Sequence, residues 1–137
     1  MEYLFMIRLV STALFLSFGT AASALQPLHE NPTVMQGFYS IGLADEVRKN
    51  CNSISPRMFR AYNYLRALEN YARDVGYSKA QIEELVDNKS EKEILRAKIR
   101  KDLAARGATP DTPEGYCTVG HEEIAKGSAA GRLLRAK

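Results

Sequence analysis

The sequence has only two cysteines and two histidines, the side chains that most often serve as nucleophile, general base or zinc ligand, and it has no tryptophan. The Cys-x-x-Cys-His signature of c-type haem attachment is absent, and so is a glycine-rich phosphate loop. The G-x-S-x-G signature of serine hydrolases does not occur, and two histidines leave few candidates for a catalytic triad. The sequence therefore predicts no cofactor and no familiar enzyme active site.

One short segment, His121-Glu122-Glu123, is similar to the start of a metalloprotease motif. That motif needs a second histidine four residues after the first, and the residue there is Ala125. Cys117 lies one helical turn before His121, but a disulfide at Cys117 would remove the thiolate that a metal needs. We therefore predict no metal site, an exposed histidine, and a solvated face at the two glutamates.

The N-terminal region has the pattern of a secretory signal peptide. Arg8 precedes a mainly apolar run, 9–18, and the small-residue triplet Ala-Ser-Ala follows at 22–24. This order predicts cleavage after Ala24. The run is shorter than the about 20 apolar residues of a permanent membrane span, although the apolar residues 3–7 favour the alternative of an uncleaved anchor.

The expected mature chain, residues 25–137, has the size of a single domain. An exported chain with an even number of cysteines is typically disulfide-bonded, which predicts a bond between Cys51 and Cys117. Two free thiols would require a reducing compartment, and so a wrong signal-peptide assignment. The net charge of +3 excludes no class of protein partner. Export argues against nucleic acid as a partner, and cleavage of the signal peptide argues against stable insertion of the mature chain into the membrane.

Apolar periodicity predicts helices along most of the mature chain. The first begins at Thr33, where Thr33 and Gln36 form a capping box, and its apolar stripe ends at Cys51. Ser55-Pro56 combines a hydroxyl cap with proline at the first helical position, which predicts the start of a second helix that ends at Gly76. The second helix has an apolar stripe that is predicted to face the protein core. Its members are Met58, Ala61, Tyr62, Leu65, Leu68, Ala72 and Val75.

Residues 78–106 favour two further helices, with one bent helix as the alternative. Ser78 and Gln81 form a capping box for the first of them, Ser90 is the expected cap of the second, and Gly107 is the expected stop.

The last substantial helix is predicted to begin at Thr112-Pro113 and to run to about Lys126. Gly120 should allow close approach to a neighbouring helix, and Leu133-Leu134 should dock as a final apolar contact. Sustained alternation of apolar and polar residues is absent, which argues against strands. The predicted fold is all-α, a compact bundle of four to five short helices stapled by one disulfide.

Arginine and tyrosine side chains on the second predicted helix are the candidate partner-binding surface. Both residue types are frequent anchors of protein interfaces. The alternative is an ordinary solvated surface, because opposite charges are interspersed along the helices that follow. The predicted binding residues are Arg57, Arg60, Arg66, Arg73, Tyr64 and Tyr71.

Several short segments resemble one family when they are taken together with the signal peptide. They are Arg48-Lys49-Asn50-Cys51, Ile54-Ser55-Pro56-Arg57-Met58, Gly76-Tyr77-Ser78, Tyr116-Cys117 and Gly131-Arg132-Leu133-Leu134. The sequence resembles the small exported proteins of alphaproteobacteria, mainly the Rhodobacter and Roseobacter group, that are classed as a domain of unknown function. The resemblance covers essentially the whole mature chain. It implies a helical periplasmic protein with one disulfide, and it implies no activity.

These observations favour a non-enzymatic exported protein that binds a protein partner, as an accessory, chaperone-like or assembly factor. The alternative is a periplasmic inhibitor or immunity-type protein that blocks an enzyme. A third hypothesis, from a different class, is an enzyme of unfamiliar chemistry that uses His121 with Glu122 or Glu123.

Overall fold

The computed structural model describes residues 24–137, so the predicted signal peptide lies, apart from its last residue, outside the described residues. Six α-helices and one small antiparallel sheet form in this range, after a 3₁₀ turn at Leu28–Glu30. The helices are α1 (Pro32–Asn50), α2 (Met58–Asp74), α3 (Lys79–Asp87), α4 (Lys89–Ala105), α5 (Glu114–Lys126) and α6 (Ala129–Arg132). The strands are β1 (Ile54–Pro56) and β2 (Leu134–Ala136). The predicted helical fold is confirmed.

Helix α1 lies at the centre, in contact with the 3₁₀ turn, α2, α4, α5, α6 and β1. It begins one residue before the predicted start, because Asn31 rather than Thr33 is its cap. The Asn31 side chain accepts a hydrogen bond from the Val34 amide at 3.1 Å, and Pro32 occupies the first helical position. Proline is well suited to that position, since its missing N–H would have no partner there.

The buried apolar residues fall into two clusters. The larger, which we call the stapled core, joins the second half of α1 to α4, α5, α6 and the strands. Its buried members are Leu43, Ala44, Val47, Cys51, Ile54, Ile99, Leu103, Ala108, Tyr116, Val119, Ala130, Leu133 and Leu134. The smaller, which we call the open cluster, joins the start of α1 to the 3₁₀ turn, α2 and α3. Its buried members are Leu28, Val34, Ala72, Tyr77 and Leu85.

The predicted disulfide closes the stapled core. The Cys51 and Cys117 sulfurs are 2.03 Å apart and their Cα atoms 5.1 Å apart, which joins the end of α1 to the first turns of α5. One turn further along α5, a Cβ on Gly120 would lie 2.6 Å from Val47 Cγ1. The close approach predicted at this glycine is therefore confirmed, and only a residue without a side chain fits it.

A small antiparallel sheet stands where the second helix was predicted to begin. Ser55 pairs with Arg135 in this sheet, and α2 begins only at Met58. The predicted cap-and-proline start at Ser55-Pro56 is therefore wrong, as is the expectation that the fold has no strands. Three-residue strands are too short to show an alternating pattern. Their pairing also depends on the C-terminal end of the chain returning to this point, which is tertiary information.

The second cap-and-proline start is wrong as well. Helix α5 begins at Glu114, after Pro113, and no side chain caps it. The Thr112 hydroxyl instead donates to the Gly107 carbonyl at 3.0 Å and so closes the preceding loop. The Thr112 side chain therefore bonds within the loop instead of capping the first turn of α5.

The middle of the chain follows its local patterns more closely. Residues 78–106 form two helices, as predicted, and Ser78 and Gln81 form the predicted capping box. Gly76 and Gly107 end α2 and α4, as predicted, and both have positive φ angles. The cap of α4 is Asn88 rather than Ser90, because the Asn88 side chain accepts from the Glu91 amide at 3.0 Å.

The C-terminal apolar pair docks as predicted. Leu133 and Leu134 are 4% and 2% exposed, so both are part of the stapled core.

Among the described residues, no helix has the length and apolar character needed to cross a membrane.

Candidate functional site

Helix α2 leaves much of its apolar side uncovered. Of the stripe predicted to face the core, only Leu68 and Ala72 are buried. Met58 is 67% exposed, Tyr62 60% and Leu65 42%. The prediction that the whole stripe packs inside is therefore wrong. The physical reason is that the main contacts of α2 are with α1 and α3, and they cover only part of its circumference.

The uncovered side chains form one continuous surface, which we call the apolar strip. Phe59, which is 78% exposed, belongs to it as well. Its members are Met58, Phe59, Tyr62 and Leu65. Single exposed apolar residues are common on soluble proteins, but a contiguous group marks an interaction surface.

An apolar groove continues the strip between the 3₁₀ turn, α1, α2 and α3. Its volume is about 100 Å³, and Glu69 is the one charged residue among those that line it. Leu65 belongs to both the strip and the groove. The other apolar residues that line it include Val34, Phe38, Leu68, Ile82, Leu85 and Val86. The groove is therefore an unfilled part of the open cluster.

The six predicted binding residues do not form one surface. Arg66 and Arg73 both pair with Glu69, at 3.0 and 2.8 Å, beside the apolar groove. Tyr64 and Tyr71 are half-buried, the first against the stapled core and the second against the open cluster. Both tyrosines therefore help to hold α2 against the body.

Arg57 and Arg60 lie elsewhere, against the C-terminal segment. Arg57 Nε donates to the Leu134 carbonyl at 3.1 Å, and Arg60 Nη1 donates to the Arg132 carbonyl at 3.4 Å. Helical residues advance by about 100° each, so Met58 and Tyr62 lie about 160° around α2 from Arg60. The apolar strip and this second surface are therefore on opposite sides of the helix.

The C-terminal segment brings two further arginines to the same place. Arg135 Nε donates to Ser55 Oγ at 3.1 Å across the small sheet, and Arg132 lines the same depression as Arg60. We call this group the arginine corner. Its members are Arg57, Arg60, Arg132 and Arg135. Sequence reasoning identified the first two and missed the other two.

A charge pattern in the sequence could have identified them. The stretches 47–68 and 124–137 contain no aspartate or glutamate. The arginine corner forms where these two acid-free stretches meet. In the described part of the chain, none of its four members has a carboxylate partner, whereas the other six arginines there each lie within 3.7 Å of one.

The segment similar to a metalloprotease motif forms structural contacts. His121 and Glu122 are exposed, as predicted, but Glu123 is buried, so the prediction of a solvated face is wrong for it. Glu123 accepts hydrogen bonds from the Ser128 hydroxyl at 2.5 Å and from Arg106 at 2.8 Å. Burial raises the pKa of Glu123, but these two hydrogen bonds and the positive charges of Arg106 and Lys126 together outweigh it and hold the pKa below its ordinary value. Ionised Glu123 therefore ties α4, α5 and the start of α6 together.

A tyrosine supports the contact between α1 and α4 in a similar way. The Tyr39 hydroxyl donates to Asp102 at 2.8 Å, and the Lys98 ammonium lies 4.8 Å from the centre of the Tyr39 ring. Burial, with a smaller contribution from the hydrogen bond to Asp102, raises the pKa of Tyr39 to about 12. This tyrosine is therefore protonated at neutral pH and acts as a hydrogen-bond donor.

Within residues 24–137, no group of three or more histidine, cysteine, aspartate or glutamate side chains is arranged to hold a metal ion.

Comparison with known proteins gives one result. Residues 26–135 match the model of a family described as "Family of unknown function (DUF5333)". No curated protein and no solved structure matches the sequence.

Proposed function

The chain belongs to this family of unknown function, DUF5333, and we propose that it is an exported, non-enzymatic protein that works by binding a protein partner. Its role is that of an accessory, chaperone-like or assembly factor. The observation that carries the proposal is the apolar strip of α2, where large apolar side chains from two successive turns remain exposed.

The geometry of the strip suits an amphipathic helix of the partner. Met58, Tyr62 and Leu65 follow the i, i+4, i+7 spacing of a helical ridge, and helix-in-groove binding uses anchors at this spacing. The adjoining groove, of about 100 Å³, has room for about one large aliphatic side chain. Burying one such side chain contributes about 1.5–3 kcal/mol, so several contacts along the strip and groove are needed to offset the loss of translational and rotational freedom on association.

The polar rim of the groove supports orientation of the partner. Arg66, Glu69 and Arg73 form an exposed ion-pair triad along the groove. Rim charges contribute more to the rate and register of association than to its affinity. The two arginines therefore have a role in binding that agrees with their prediction as interface residues.

Export to the periplasm is part of the proposal. The predicted signal peptide supports it, together with the Cys51–Cys117 bond, since disulfides persist in oxidising compartments. The resemblance to exported alphaproteobacterial proteins supports the same location.

Site-specific photo-crosslinking in intact cells tests the function. A crosslinker at Tyr62 should give one discrete protein adduct, and a crosslinker at Ala97, exposed on α4, should not. The purified partner should then bind the Met58→Ser/Leu65→Ser double variant at least tenfold more weakly, while Asn70→Ser, on the solvent side of α2, binds normally. Equal adducts at the two positions, or equal affinity in the two variants, would overturn the proposal.

The same experiment separates the other functions considered for the sequence. A captured enzyme whose activity falls on binding would make the protein an inhibitor rather than an accessory factor. His121→Ala should bind the partner with unchanged affinity. A substrate that the isolated protein converts, and that His121→Ala does not, would replace binding by catalysis.

A further inference from the structure

We infer that the arginine corner recognises the carboxylates of an acidic protein segment. The inference rests on the proposed function only in that the segment belongs to a protein partner; the surface is a different one, on the opposite side of α2 from the apolar strip. It starts from the distribution of charge along the chain.

Basic residues elsewhere in the described chain are mostly balanced by nearby acids. Arg96 pairs with Glu93, Lys98 with Asp102 and Arg106 with Glu122. The exception is the inner part of the acid-free stretches 47–68 and 124–137, because basic residues at their ends still pair with acids just outside them. The pairing of β1 with β2 sets them side by side. The result is a local positive charge that the overall charge of +3 does not reveal.

Hydrogen bonds within the fold orient three of the four guanidinium groups, and no carboxylate of the described chain pairs with any of the four. Three of them donate one hydrogen bond to a backbone carbonyl or a hydroxyl: Arg57 to Leu134, Arg60 to Arg132, and Arg135 to Ser55. A guanidinium carries five N–H donors in a planar fork that matches a carboxylate. Most of these donors therefore have no hydrogen-bond acceptor within the described chain, so a carboxylate can bind them without breaking an ion pair.

A depression beside the corner gives a carboxylate side chain a place to enter. Arg60, Asn63, Tyr64, Arg132 and Leu133 are among the residues that line it, and its volume is about 460 Å³. The arginines offer bidentate hydrogen bonds to a carboxylate, and the Asn63 amide offers a further donor. Tyr64 and Leu133 provide an apolar floor for the methylene groups of an aspartate or glutamate.

The alternative anionic surface, a membrane, fits this geometry less well. A flat membrane would have to contact basic and apolar side chains on one side of the protein. Arg60 lies about 160° around α2 from Met58 and Tyr62, so a membrane bound by the corner would leave these two residues of the apolar strip in water. The depression is also concave, which suits an inserted side chain. An acidic protein segment is therefore the favoured ligand.

The test uses mature protein, residues 25–137, and a fluorescent peptide that alternates Asp and Glu with Gly and Ser. The control peptide carries Asn and Gln in place of the acids. The acidic peptide should bind with an affinity that falls steeply with salt, and the Arg60→Gln/Arg132→Gln variant should lose at least tenfold in affinity. Arg96→Gln, which removes an arginine of α4 that already has a carboxylate partner, should stay within twofold.

Three results would overturn the inference. The first is equal binding of the acidic and neutral peptides, and the second is equal loss of affinity in Arg96→Gln and in the corner variant. The third is binding to anionic phosphatidylglycerol vesicles that depends on the corner while the peptide does not bind, which would assign the surface to lipid. Unchanged melting temperatures in the variants establish that lost affinity is not unfolding.

Failure of this inference is distinguishable from failure of the proposed function. If the crosslinked partner binds the corner variant normally and loses affinity only for the strip variant, the proposed function stands and the corner has no role in it. If the acidic peptide needs the corner while the strip variants bind every partner normally, the corner stands and the strip proposal fails.

Discussion

The stapled core and the open cluster are closed in different ways. In the stapled core, Val47, Leu103 and Val119 have no measurable exposure, and a disulfide joins two of the helices. In the open cluster, Leu85 is 9% exposed and Leu28 is 6% exposed, and both line the apolar groove. Local opening requires least free energy where few apolar contacts close a region. The difference indicates a molecule with one rigid end and one more adaptable end.

Removal of the disulfide should have the largest effect on this contrast. The bond spans a sequence separation of 66 residues, and closing a loop of that length stabilises a protein by about 4 kcal/mol in the chain-entropy model. The Cys51→Ser/Cys117→Ser variant should lose that much free energy of unfolding in a urea titration. Reduced wild-type protein is the matched control and should show the same loss. A variant as stable as the oxidised protein would show that the stapled core does not depend on its covalent closure.

Gly131→Ala should also destabilise the stapled core, by less than removal of the disulfide. A Cβ at this position would overlap the Glu123 carbonyl, which is backbone and cannot rotate away. We expect a loss of about 3 kcal/mol in unfolding free energy, the upper part of the usual range for overpacking. Gly42→Ala is the matched control, since its Cβ would meet only the end of the Ile99 side chain. Equal losses in the two variants would contradict the close backbone contact between α5 and α6.

Leu85→Ala compares the two regions directly. Loss of a buried leucine costs about 2–5 kcal/mol, depending on how well the site is packed. We expect about 2 kcal/mol for Leu85→Ala, because the groove already deprives Leu85 of some contacts. We expect about 4 kcal/mol for Leu103→Ala in the stapled core. Both values come from the same chemical denaturation experiment, and equal losses would remove the distinction between the clusters.

Glu123→Gln should have the smallest effect and a characteristic pH dependence. The pKa of Glu123 in the folded protein lies below its ordinary value of 4.5. Its contribution is therefore complete above pH 4.5 and is lost as the pH falls through the lower, folded-state pKa. At pH 7 the variant should be less stable by about 1–2 kcal/mol, since hydrogen bonds to a charged group are replaced by neutral ones.

The difference in unfolding free energy between wild type and Glu123→Gln should become smaller as the pH is lowered below about 4.5. Leu85→Ala removes no titratable group, so its difference from wild type should not follow this pattern. A pH-independent difference for Glu123→Gln would show that the carboxylate charge does not stabilise the junction of α4, α5 and α6.

Local patterns were reliable where the interaction they describe is itself local. Gly76, Gly107 and the Ser78–Gln81 box do in the structure what the sequence predicts, since each concerns backbone groups within a few residues. Ser55-Pro56 and Thr112-Pro113 were misread because extended chain also suits the residue before a proline. In both cases the hydroxyl has another partner, Arg135 for Ser55 and the Gly107 carbonyl for Thr112.

The candidate site was harder to predict than the fold. The amphipathic pattern of α2 identifies an apolar side but does not say whether the chain supplies enough partners to cover it. Arg60 was predicted as a binding residue from its own helix. Arg132 joins it only because α6 and β2 return the end of the chain to the start of α2.

The sequence by itself determined the helical class, the order of the five longer helices and the pairing of Cys51 with Cys117. Helical periodicity, glycine stops and a count of two cysteines depend on neighbouring residues or on composition alone. Only the tertiary structure decided that two chain segments about 80 residues apart pair as strands, that the α2 apolar strip stays exposed, and that four arginines meet without a carboxylate. These features depend on which distant residues come close enough to cover an apolar side chain or to pair with a charged one. The packing of the whole chain determines those contacts.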